Sequence, residues 1–256
     1  MPNGMSNKRG LILKNILFVE RLKLKRSNLW LLYFIGPILG VALAYINFFK
    51  NYDLLMQPGD NAWIEVWTQA ALFMGPFVLP ILVGIYSALI CRSEHAGGGW
   101  KQLLVLPVKH SVVFLGKFIT VVHMVIITML ILLIFFIGFG YIKGIKDTLP
   151  IFTILGYIIN GIIACLPLIL LHLIISIRAK TFGIPLAISI VFTLPAIIVA
   201  STPLGQIYPW TLPMLAMSPK DESPIQSYFL FYTLLGGTFI TLLVYGLRSF
   251  RKRDII

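Results

Sequence analysis

Few residues in this chain have the type and spacing to do bond chemistry. Three polar side chains, His123, Asn160 and His172, lie inside long apolar stretches. Ionisable groups in lipid are functional by default, so a proton relay or a small membrane-embedded catalytic site at His123 and His172 is one reading. Hydrogen bonding between helices is the other, because neither histidine has a partner that the sequence identifies. Cys91 and Cys165 lack metal-ligand spacing and read as small buried apolar residues. Gly116-Lys117 lacks the upstream glycine and the following Ser or Thr of a phosphate-binding loop. No His-Glu-x-x-His, paired-cysteine or Gly-x-Ser-x-Gly pattern occurs. No catalytic residue, cofactor or metal site is assigned to this chain.

One polar insert, residues 94–107, is not explained by lipid. Glu94 and His95 open it, and Gly97, Gly98 and Gly99 allow a sharp change of direction, since glycine tolerates positive φ. Trp100, Leu103 and Leu104 then fall at i, i+3 and i+4, the apolar face of a short helix that also carries Lys101 and stops at Pro107. As a docking knob it would fill a hydrophobic cleft with Trp100, Leu103 and Leu104, an aromatic-centred anchor. An interfacial helix with Trp100 in the headgroups is the plainer alternative. Glu94 caps this helix, pairs with a base such as Arg92, or touches a partner.

The elements around the insert belong to a membrane protein. Of 256 residues, 58% are hydrophobic and 12% charged, too apolar for an ordinary soluble domain. Six stretches match the roughly 20 residues that a helix needs to cross a bilayer core: 29–49, 67–91, 112–141, 151–177, 183–202 and 227–247. They are continuously apolar rather than alternating, so helices are expected, not a barrel. With six spans both termini share a side, and that side holds seventeen of the 21 basic residues. The positive-inside rule makes it cytoplasmic, which accounts for the +12 charge without nucleic acid.

Residues 1–28 read as a cytoplasmic interfacial helix, 29–247 as the transmembrane domain and 248–256 as a basic cytoplasmic tail. In the interfacial helix, Lys14, Arg21 and Lys25 suit anionic headgroups, but Glu20 projects from the face of Leu13, Leu17 and Leu24. That carboxylate needs a partner, either an intrahelical pair with a neighbouring Lys or Arg or a functional contact. Gly75-Pro76 and Pro80 predict a bent or broken second span, whereas the third, without proline, reads as a rigid strut. Residues 202–226, rich in proline yet apolar, read as an interfacial or re-entrant hairpin on the extracellular side with Tyr208 and Trp210 at headgroup level.

On the order of these elements, and on Glu20-x-x-Lys23-x-Lys25-Arg26 and Glu94…Gly99-Trp-Lys-Gln-Leu-Leu-x-Leu-Pro107, the chain resembles the permease subunits of type-2 ABC exporters. The return Lys109–Lys117 completes the motif. In length and span number it is most similar to bacterial lantibiotic-immunity and bacitracin-resistance permeases. It departs from their pattern in carrying Gly97-Gly98-Gly99 where one glycine or Ser-Gly is usual. The resemblance implies an all-α, six-span exporter fold in a bacterial cytoplasmic membrane, paired with a second permease as homodimer or heterodimer over two ABC ATPase subunits. ATP and Mg would be bound by the ATPase. The coupling helix would be 94–107 (Glu94, Gly99, Trp100, Lys101, Leu103, Leu104, Pro107), and the interfacial helix would contribute Glu20, Lys23 and Arg26 as site residues of its own. The cargo would be an amphiphilic peptide. An anchor or sensor that recruits a cytoplasmic protein through the same insert is the non-transport alternative.

Overall fold

The computed structural model describes residues 3–25, 30–95, 99, 100, 102 and 108–251, and among them every regular element is helical. The helices are α1 (Asn3–Lys25), α2 (Trp30–Lys50), α3 (Tyr52–Leu55), α4 (Ala62–Phe73), α5 (Leu79–His95), α6 (His110–Ile142), α7 (Ile151–Arg178), α8 (Gly183–Thr193), α9 (Ala196–Ala200), α10 (Leu212–Met217) and α11 (Tyr228–Arg251). A π turn, Met74–Val78, joins α4 to α5 into one element of 34 residues. At 1.5 Å per residue this element and the 33-residue α6 are each about 50 Å long, so both overrun a hydrocarbon core of about 30 Å.

Two bundle ends can be told apart by their contacts. At one, Glu20, Glu94 and Lys117 form ion pairs, and Arg178 bonds Tyr245 and Ser249. At the other, Asn61 and Trp63 bond the 147–148 turn, and Thr68 meets Glu222. The second span begins with α4 at Ala62 rather than at 67 because its start is capped twice. The Asn61 side chain accepts from Trp63 N–H at 2.9 Å, and the Asp147 carboxylate accepts from Ala62 N–H at 2.8 Å.

Among the described residues, five helices are long and apolar enough to cross a membrane, where six spans were expected. The expected fifth span, 183–202, divides into α8, a break at Leu194 and Pro195, and the five-residue α9. Eleven residues of α8 rise only about 16 Å. The chain nevertheless passes from the first end to the second between Arg178 and Tyr228, through short pieces: α8, α9, the 3₁₀ turn Pro203–Gln206 and α10. Proline at 195, 203, 209 and 213 denies these pieces the amide hydrogens of a continuous helix.

The predicted break in the second span is the π turn, with Leu79 N–H bonding Met74 O. It forms the seat of α10: a β-carbon at Gly75 would collide with the backbone of Met214, and one at Gly161 would lie 2.6 Å from Met217. Trp67 Nε1–H donates to Met217 O at 2.9 Å, satisfying the end of α10. Trp210 does not face outward as a headgroup anchor would. It is buried, stacked on Phe192 and edge-on to His172, because the proline-broken segment folds inward over α7 and α8.

Candidate functional site

The residues singled out at 20, 23, 94, 99 and 100 converge at the first end of the bundle. α1 crosses α6 where Gly116 admits Ile16 and Leu13 against its backbone. That crossing turns Glu20, one turn beyond Ile16, inward toward Lys117 of α6. Lys117 is completely buried, and its ammonium uses all three hydrogens: Glu20 Oε1 at 3.0 Å, Glu94 Oε1 at 2.9 Å and Ile90 O at 3.0 Å. Lys23 closes the group from its rim, 2.6 Å from Glu94 Oε1 and 3.4 Å from Glu20 Oε1. Ser93 Oγ–H donates to Glu94 Oε2 at 2.9 Å. Two carboxylates and two ammonium groups thus cancel in net charge while each buried polar atom is bonded, the condition under which buried charge is tolerated.

Of the readings left open for Glu20, the local pair is present. Glu20 pairs with the local Lys23 and, over 97 positions, with Lys117. Glu94 pairs with Lys23 and Lys117 rather than with Arg92, which is exposed.

Gly99 and Trp100 fold back on this group. A β-carbon at Gly99 would lie 2.9 Å from both Glu94 Cα and Ser93 O, so glycine lets the returning chain touch the helix end. Trp100 is 8% exposed, its ring 5.5 Å from the Lys117 ammonium and edge-on to Phe250 of α11. Its Nε1–H donates to His95 Nδ1 at 3.2 Å, which leaves the His95 proton on Nε2 to bond Ser176 O at 2.9 Å. The expectation of Trp100 as an outward docking knob is corrected accordingly. Its indole faces inward, because a buried lysine ammonium and the α11 aromatic offer it a cation–π partner and an apolar wall. Lys101, Leu103, Leu104, Pro107 and Arg26 lie outside the described residues.

Sequence reasoning passed over Lys117 and Phe250. A signal for Lys117 existed: a lysine seven residues inside a 33-residue apolar helix demands counter-charge, and Glu20 and Glu94 were the acidic residues awaiting partners on that side. Phe250 had no such signal. The two candidate catalytic histidines do not meet. His123 lies on the exposed face of α6, whereas His172 is buried against Trp210.

Five long apolar helices define a multi-pass helical membrane protein. Residues 16–196, well over half of the chain and including Glu20, Lys23, Glu94 and Lys117, match the family model described as ABC-2 family transporter protein, and the chain belongs to that family. It is therefore a membrane component of an ABC transporter, a role that implies an ABC ATPase as partner. No curated protein matches the chain.

Proposed function

We propose that this chain is the permease subunit of an ATP-driven exporter that expels an amphiphilic or peptide substrate, such as a lantibiotic or another antimicrobial peptide, from a bacterial cytoplasmic membrane. The observation that carries the reading is the four-charge group. It fastens α1, the end of α5, the Gly99–Trp100 turn and the start of α6 into one block. The basic residues favour this end as the cytoplasmic one, with both termini inside. An ATPase dimer that binds ATP and Mg would press on residues 94–107, and the block would carry that displacement into α5 and α6 together. A second permease, identical or not, would complete the pathway, and the largely apolar exposed faces suit an amphiphile.

The test is co-purification of the chain with its ATPase, followed by ATPase stimulation and transport in proteoliposomes. Leu104→Ala is expected to weaken ATPase binding directly. Trp100→Ala is expected to weaken it by releasing the turn from the block, and Lys117→Gln to uncouple hydrolysis from transport. Unchanged binding, hydrolysis and transport in all three variants would falsify the coupling role.

A further inference from the structure

Helical hydroxyls in this protein usually satisfy themselves on their own backbone: Thr120 on Gly116 O at 2.8 Å, Thr128 on Met124 O at 2.9 Å and Thr233 on Phe229 O at 2.8 Å. One seam departs from that habit. Ser87 of α5, His172 and Ser176 of α7, Thr193 of α8 and the adjoining Trp210 are all buried. Among the described residues, Ser87 Oγ, both His172 ring nitrogens, Ser176 Oγ, Thr193 Oγ1 and Trp210 Nε1 have no hydrogen-bond partner.

These groups share a location. Ser176 follows His172 by one turn, and Thr193 follows Ser189 by one turn, placing each pair on one helix face. The buried residues of α8 are Pro185, Ser189 and Thr193, one stripe at spacings of four. Gly84 of α5 brings the three helices together: a β-carbon there would lie 2.7 Å from Ser189 Cβ and 3.4 Å from the His172 ring. Ser189 Oγ–H bonds Pro80 O at 2.7 Å, which keeps α8 against α5. Buried polar atoms that protein does not satisfy are served by water where the site is polar and roomy enough.

The seam has an open end and a closed one. Toward the ion-pair end it meets a cleft of about 240 Å³ lined by Ala88, Arg92, His95, Ser176, Lys180 and Pro185. Ser176 and Pro185 belong to both cleft and seam, one turn from His172 and Ser189 respectively. Past His172 the way is covered by aromatic rings: Trp210 is edge-on to the imidazole, stacked on Phe192 and tilted against Tyr208, whose hydroxyl bonds Phe192 O at 2.6 Å.

We propose that α5, α7 and α8 enclose a hydrated cleft that takes water and small hydrophilic molecules from the ion-pair end, reaches His172 and is closed there by the Phe192–Trp210–Tyr208 stack. The cleft lies within a single subunit, and its existence does not depend on the energy source or the cargo.

Cysteine accessibility in membrane vesicles tests it. In a Cys91→Ala, Cys165→Ala chain, Ser176→Cys and Ser87→Cys are expected to react with a charged, membrane-impermeant thiosulfonate about tenfold faster than the lipid-facing control Ile134→Cys, because lipid holds no water to carry the reagent. Reaction at the rate of the control for both positions would overturn the cleft. Reaction from the cytoplasmic face supports the orientation proposed above; reaction from the external face keeps the cleft and overturns that orientation. The unmodified chain gives a second readout: a short radiolytic hydroxyl-radical pulse is expected to label Trp210 in spite of its burial. An unlabelled Trp210 beside normally labelled Tyr52 and Tyr141, both exposed, would count against the cleft even if the cysteine variants failed to fold.

Discussion

Lys117 and Glu94 stand 2.9 Å apart on helices that leave the membrane on either side of the Gly99–Trp100 turn. A bond between the end of one span and the start of the next fixes the angle at which the intervening segment is held. Glu20 adds α1 to the same joint through the same lysine.

Removing the lysine alone is therefore worse than neutralising its two buried partners with it. Lys117→Met leaves two buried carboxylates with only the rim ammonium of Lys23 between them and is expected to cost about 3–5 kcal/mol, whereas Lys23→Ala at the partly exposed rim costs about 1 kcal/mol or less. Adding Glu20→Gln and Glu94→Gln to Lys117→Met is expected to restore most of the loss. Thermal unfolding in detergent, followed by tryptophan fluorescence, ranks the three chains. A Lys117→Met midpoint equal to that of Lys23→Ala would show that the joint carries no stability.

Trp100 is predicted to act through its ring area and its indole proton separately. Trp100→Phe keeps contact with Phe250 and Lys117 but loses the bond to His95, a cost of about 1 kcal/mol. Trp100→Ala also loses the buried ring, about 3 kcal/mol. Trypsin cleavage after Lys101 measures release of the turn. The expected order of rates is wild type, Phe, then Ala.

Glycine tolerance should divide by contact. Gly75→Ala drives a methyl into the Met214 backbone and is expected to lift α10 from its seat, exposing Trp67 and Trp210 to a polar quencher. Gly156→Ala, in the same class of apolar helix but with open space beside it, is expected to change neither stability nor quenching. Equal behaviour of the two variants would mean that the π turn does not support α10.

At the opposite end, Asp147→Ala removes an acceptor for the first amide of α4. The expected cost is about 1 kcal/mol, confined to the helix start. Hydrogen exchange read by mass spectrometry should quicken over residues 62–65 and stay unchanged at the ion-pair end.

The helical class, the extents of four spans and the bend in the second were legible because lipid imposes length, apolarity and internal hydrogen bonding on each segment by itself. The fifth span was read as one continuous helix for the same reason: 183–202 is apolar throughout, and hydropathy does not register that Pro195 interrupts it, with only Pro185, Ser189 and Thr193 of α8 buried and Ile184, Ile190 and Val191 left exposed. Trp210 was misplaced because an aromatic between prolines suits a headgroup site as well as a fold-back onto Phe192 and His172. Within the candidate site, Glu20, Glu94 and Trp100 stood out as residues out of keeping with lipid. The lysine that joins them lay beyond local reach, since it is 97 positions from one partner and 23 from the other.

The π turn also sets the rotational phase of the second span. Trp67, which packs on Phe136 of α6, and Glu94, which bonds Lys117 of α6, are 27 residues apart. In an unbroken α-helix that interval is about 7.5 turns and would place them on opposite sides, roughly 180° apart. The wider turn at Met74–Val78 absorbs about one residue, bringing the two to within roughly 80°. One helix thereby keeps hold of α6 near both of its ends, and deleting a single residue at 74–78 would free one grip or the other.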